Sequence, residues 1–106
     1  MKEPSVQHPV SAITLADLLK GAGDAVRLAA GSAALRVGSI EYDSRRAGKG
    51  SMFVAVEGFQ SDGHAFAAAA ASAGASAIVV SASRAREFSA LAEGGTALCV
   101  CDDTRL

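Results

Sequence analysis

A chain of 106 residues, 50% of them apolar and 20% charged, has the composition of one ordinary globular domain, long enough to bury most of its unfolded surface without disulfides or metal. Ten basic residues against eleven acidic ones leave a formal charge of -1, which excludes a general attraction to nucleic acid or an anionic membrane, so any bound phosphate has to be held locally. Met1-Lys2-Glu3-Pro4-Ser5 lacks the apolar run of a secretory signal, and the stretch from Ala65 to Val80 is mostly Ala, Ser and Gly and is interrupted by Gly74, so no membrane span is expected.

Residues 1–12 carry Pro4 and Pro9 with few large apolar groups and read as an irregular lead-in. Thr14 is placed to cap a short helix, with Asp17 in its first turn and Leu15, Leu18 and Leu19 along one stripe, and Gly21 and Gly23 end it. From Ala22 to Ser32 small residues and glycines dominate, and little regular structure is expected. Leu35, Val37, Ile40 and Tyr42 predict an extended segment disturbed near Gly38-Ser39. It runs into Asp43-Ser44-Arg45-Arg46.

The turn Gly48-Lys49-Gly50 leads to Met52-Phe53-Val54-Ala55-Val56, a nearly continuous apolar run suited to a strand covered on both faces. After the loop from Glu57 to Gly63, Asp62 is placed to cap a helix beginning near His64, with Phe66, Ala69, Ala70 and Ala73 on its apolar face and Gly74 at its end. Ala77-Ile78-Val79-Val80 is a short buried strand. Ser83 starts a further helix lined by Phe88, Leu91 and Ala92, broken at Gly94-Gly95, and Thr96 to Cys101 forms a last apolar strand. Strands alternating with helices from Met52 onward predict an α/β fold with a mostly parallel sheet and flanking helices.

Cys99 and Cys101 share one face of that last strand and are too close in sequence for an ordinary mutual disulfide; two small buried side chains in a reduced, cytoplasmic protein are the simpler reading. Neither a Cys-x-x-Cys pair nor a nearby histidine accompanies them, so no metal site is expected.

Two loops follow predicted strands, at the end of a parallel sheet where ligands usually bind. Tyr42-Asp43-Ser44-Arg45-Arg46 offers a hydroxyl and two guanidinium groups suited to phosphate oxygens, although an Asp-Ser turn with two solvated arginines accounts for the same residues. Gly58-Phe59-Gln60-Ser61-Asp62-Gly63-His64 combines an aromatic ring, an amide and a hydroxyl, a set able to stack on uracil and read its edge; Phe59 as a core anchor and Asp62-Gly63 as a cap are the structural alternatives. His64 is expected on the surface of the first helical turn. Lys49 in Gly48-Lys49-Gly50-Ser51 fails as a phosphate loop, because glycine follows the lysine where a hydroxyl residue is needed. No catalytic set can be assembled, so the residues themselves point to binding.

The ordered series Asp43-Ser44-Arg45-Arg46, then Gly50 to Gly58, then Ser61-Asp62-Gly63-His64-Ala65-Phe66, then Ala70 to Ala75 and a valine-rich strand, resembles the first domain of the Mur ligases from about Leu15 onward. Its loops look most like those of the UDP-N-acetylmuramoyl-L-alanyl-D-glutamate ligases, which add meso-diaminopimelate or L-lysine as the third residue of the peptidoglycan stem; the relatives that add D-alanyl-D-alanine share the Asp-Gly-His-x-Phe element. The resemblance implies a UDP-sugar-binding domain over residues 13–106, with UDP contacts at Tyr42, Ser44, Phe59, Gln60 and Ser61 and phosphate contacts at Arg45 and Arg46. It implies UDP-N-acetylmuramoyl-peptide as the partner molecule and a cytoplasmic setting, with neither nucleic acid nor membrane as partner. ATP and Mg2+ would serve the whole enzyme from a central ATP-binding domain, with no cofactor and no ligase activity expected of these residues alone. A free-standing nucleotide-sugar-binding or interaction module is the alternative of a different class.

Overall fold

The computed structural model describes residues 13–23, 25–56 and 62–102. Its elements are α1 (Leu15–Ala22), β1 (Val26–Ala30), β2 (Ser39–Glu41), β3 (Ser51–Val54), α2 (Ala67–Ser72), β4 (Ala77–Ser81) and β5 (Ala97–Cys101), with 3-10 segments at Ser44–Arg46, Gly63–Phe66 and Ala82–Gly94. The strands form one sheet in the order β1-β5-β4-β3-β2. β2, β3, β4 and β5 are parallel neighbours, and β1 runs antiparallel on the outer edge of β5. The α/β fold with a mostly parallel sheet is therefore as the sequence predicts.

Side-chain alternation along the central strands divides the core into two layers. Phe53, Ile78, Val80, Leu98 and Val100 point to one face, where Ala67 and Ala70 of α2 and, less deeply, Phe88 and Leu91 cover them. Met52, Val79, Ala97 and Cys99 point to the other, where Leu15, with Leu18 and Leu19 beside it, lies against them. The small residues of β4, β5 and α2 allow this close approach of layers. Within the sheet, Gly31 at the end of β1 sits tight against β5: a Cβ there would lie 2.8 Å from the Ala97 Cα, and φ of 98° is a conformation that glycine alone adopts at low cost.

α1 begins with a full capping box, the Thr14 hydroxyl accepting the Asp17 N–H and the Asp17 carboxylate accepting the Thr14 N–H. Its stripe and its end at Gly23 match the expectation. Ala22 to Ser32 does not: it contains β1, whose Val26 and Ala30 pair with Cys101 and Leu98 of β5 across a register irregularity. β1 is a strand because β5 offers it a hydrogen-bonding edge, and its own side chains are half-buried or exposed, so they carry little of the periodic signal that marks the central strands.

The helix after Asp62 is also phased differently from the expected face. Its first turn, Gly63–Phe66, is 3-10 and only then passes into α2. With three residues per turn at the start, the phase shifts: Ala67 and Ala70 turn inward, while Phe66, Ala69 and Ala73 are exposed. The alternating strands and the break at Gly95, which has φ of 97°, follow the sequence reading.

Candidate functional site

The carboxyl ends of β2 and β3 open onto a cavity of about 530 Å³ lined by Tyr42, Asp43, Ser44, Arg45, Phe53, Val56, Gly63 and Phe66. Three segments build it. The first is the turn after β2, where the Asp43 carboxylate accepts the Arg45 backbone N–H at 2.9 Å and so starts the 3-10 turn Ser44–Arg46. The same carboxylate accepts Arg45 Nε at 3.0 Å and Nη2 at 2.7 Å, a fork that fixes the guanidinium beside the cavity. Hydrogen bonds from the Arg45 side chain and backbone lower the Asp43 carboxyl to about 2. The ion pair keeps this wall charged on both sides and nearly neutral in sum. Tyr42 is 62% exposed at the entrance and Ser44 is half-buried. Arg46 is exposed and lies outside the cavity wall.

The second segment is the end of β3 and the third is the 3-10 turn that starts at Gly63. Val56 and Gly63 both line the cavity, and the Gly63 N–H donates to the Val56 carbonyl at 2.8 Å, so the end of β3 and the start of the 3-10 turn are joined there. Phe59, Gln60 and Ser61 lie outside the described residues. Only glycine fits at 63, because a Cβ would come within 2.7 Å of the Val56 nitrogen and 3.1 Å of the Ala55 Cα.

Beneath the turn, Asp62, His64 and Arg84 form a connected set. The Asp62 carboxylate accepts the His64 backbone N–H at 2.9 Å and the His64 Nδ1 at 2.7 Å, and pairs with Arg84, which also holds Glu87. Burial works against the Asp62 charge, yet the bonds from His64 and Arg84 prevail and bring its carboxyl down to about 2. His64 is only 2% exposed, which corrects the expectation of a surface histidine. Its Nε2 accepts the Ser81 N–H at 3.0 Å, so the ring hydrogen sits on Nδ1, and the ring lies 5.9 Å from that of Phe88. The residue is an internal brace, tying the turn to β4 and to the segment Ala82–Gly94.

Sequence reasoning missed Phe66 as a cavity residue. Assigned to the apolar face of a regular helix, it instead stands 47% exposed at the junction of the 3-10 turn with α2 and lines the cavity. Arg84 was missed too, since nothing local to it signals an aspartate so far away in sequence.

A sequence model of the Mur ligase family, described as its catalytic domain, matches residues 36–102, which span the cavity, the brace and β2 through β5. The chain belongs to the Mur ligase family. No curated protein matches it. Membership in the Mur ligases gives it a role in the ligation of peptidoglycan precursors.

Mur ligases use ATP and Mg2+, and the described residues do not fit either group. The turn Gly48–Ser51, the one glycine-rich turn around a lysine, sits at the opposite end of β3 with its amides committed: Gly48 N–H to the Arg46 carbonyl, Gly50 N–H to the Gly74 carbonyl and Ser51 N–H to the Gly48 carbonyl. Among the described residues no group of three or more His, Cys, Asp or Glu side chains is placed to hold a metal ion, and no helix is long and apolar enough to cross a membrane.

Proposed function

We propose that residues 13–106 form the substrate-anchoring domain of a Mur ligase, in which the cavity beyond β2 and β3 receives the uridine diphosphate end of UDP-N-acetylmuramoyl-L-Ala-D-Glu. The observation that carries this reading is the convergence of the turn from Tyr42 to Arg45 and the hydrogen-bonded pair Val56 and Gly63 on one open space. That space has the polar and aromatic groups a nucleoside diphosphate calls for: a hydroxyl on Ser44, a guanidinium on Arg45 and the rings of Tyr42 and Phe66.

In this reading Tyr42 and Ser44 contact the UDP group, Arg45 supplies a phosphate donor from its clamp on Asp43, and Arg46 supplies a second from outside the wall. Phe59, Gln60 and Ser61 hold the uracil, as the resemblance implies. The reaction served is the ATP-dependent formation of an amide between the stem peptide and its third residue, meso-diaminopimelate or L-lysine, in the cytoplasm. ATP and Mg2+ bind in a central domain of the same enzyme, and these residues alone carry no ligase activity.

Titration of the 15N-labelled chain with UDP tests the proposal. The expected result is saturable shifts of the amides of Tyr42 to Arg46, Val56, Gly63 and Phe66, with the Gly48–Ser51 turn unmoved. Shifts confined to other regions, or none at millimolar nucleotide, would remove the basis for the reading.

A further inference from the structure

We propose that Phe66 is a base-stacking wall of this cavity, adding to the uracil contacts proposed above a preference for a nucleotide over a bare pyrophosphate; the inference rests on the uridine diphosphate reading above and deepens it. An exposed phenylalanine is by itself unremarkable, since single apolar side chains are common on surfaces. Three observations set Phe66 apart. α2, which follows Phe66, is alanine at every position up to its final serine, and Ala67 and Ala70 are completely buried, so the apolar layer beneath is closed by small side chains and does not use the ring. The backbone at Phe66, with φ of -108° and ψ of 2°, is where the 3-10 turn hands over to α2, and that change of helix type turns the ring out of the core phase. The space it turns into already holds a second exposed aromatic side chain, Tyr42, together with the hydroxyl of Ser44 and the Arg45–Asp43 pair.

The groups at the cavity therefore differ by segment. The turn after β2 contributes the polar and charged atoms suited to a diphosphate, and the start of α2 contributes a large apolar face with no hydrogen-bonding capacity. Such a face has little to offer an oxyanion, but it stacks well on a planar base, and stacking of this kind is weakened by alanine substitution on the order of tenfold or more. The brace below makes the wall firm: Asp62, His64 and Arg84 hold the 3-10 turn from which Phe66 projects.

The test compares UDP with ribose 5-diphosphate, which keeps the sugar and both phosphates but lacks the base, by calorimetric or NMR titration of the chain and of Phe66→Ala, Phe66→Leu and Phe66→Tyr. Phe66→Ala is expected to weaken UDP about tenfold while leaving the affinity for ribose 5-diphosphate unchanged. Phe66→Tyr is expected to restore UDP binding, and Phe66→Leu, which retains apolar bulk without a ring, to restore only part of it. Because the ring is half exposed, thermal midpoints of all three should stay with the parent, which separates a lost wall from a lost fold. Equal weakening of both ligands in Phe66→Ala, or no weakening of UDP, overturns the role of Phe66 while leaving the cavity as the UDP site. If the parent chain binds neither ligand, the underlying reading fails along with it.

Discussion

His64 Nε2 accepts the backbone N–H of Ser81 at 3.0 Å, a hydrogen bond that joins the turn below the cavity to the last residue of β4. The opposite ring nitrogen faces Asp62, so a side chain that replaces histidine must supply an acceptor on one side and a donor on the other. His64→Phe fills the space but removes both functions. Withdrawing the acceptor from a buried donor costs about 1–3 kcal/mol. Urea denaturation of His64→Phe should therefore show a lower midpoint with an unchanged slope, and amide exchange at Ser81 should accelerate more than at Ile78. An unchanged midpoint would mean that the ring acts only as filling.

Asp62 makes this brace sensitive to acid. Its carboxyl titrates at about 2 in the fold against an ordinary value of 3.8. A group with a depressed folded value stabilises fully above its unfolded value and loses that contribution as pH falls through the folded one. The loss is thus expected between about pH 4 and pH 2. Asp62→Asn should lower stability at neutral pH and flatten its decline across that window. Because the Asp62 side chain is partly open to solvent, salt should shrink the difference between the two proteins without abolishing it. Parallel curves for the two would show that Asp62 titrates alike in both states.

The parts of the fold that sequence reveals are those whose side chains all serve one layer. β3, β4 and β5 alternate cleanly between two buried faces, and Thr14 with Asp17 spells out a helix start in four residues. β1 was not legible because what makes it a strand is the free edge of β5, a partner about seventy residues away along the chain. Phe66 misled for a more local reason: a helical period laid from His64 assumes 3.6 residues per turn, and the first turn has three. At the candidate site, the turn from Tyr42 to Arg45 is marked in the sequence by its place after a predicted strand together with its hydroxyl and guanidinium groups. The wall facing it depends on helix phase, and the Arg84 brace on tertiary packing, and neither leaves a mark in the spacing of residues.

Cys99 provides an independent check on the layer under α1. It is fully buried and burial pushes its thiol up to about 11, so at neutral pH almost none is the reactive thiolate. Alkylation by iodoacetamide, followed by mass spectrometry, should modify Cys99 only as fast as the chain opens, and half-buried Cys101 sooner. Adding urea below the midpoint should accelerate Cys99 in step with the unfolded fraction. Rapid labelling of Cys99 in the native protein would contradict the packing of Leu15 and Ala97 around it.

Gly63 joins stability to binding at a single position. A methyl group there would lie 2.7 Å from the Val56 nitrogen and 3.1 Å from the Val56 carbonyl oxygen, and backbone atoms cannot move aside as a flexible side chain can. Relief requires the 3-10 turn to part from the end of β3, which lengthens the Gly63 to Val56 hydrogen bond and shifts Phe66 on the same turn. Gly63→Ala is therefore expected to cost about 1–3 kcal/mol of stability by overpacking. It should also weaken UDP binding at temperatures where the variant remains folded. Gly48→Ala, at a position with open space around the added carbon and no left-handed backbone, should change neither property. Should Gly63→Ala match Gly48→Ala in midpoint and affinity, the two strands of backbone at the base of the cavity must be farther apart in solution than this packing requires.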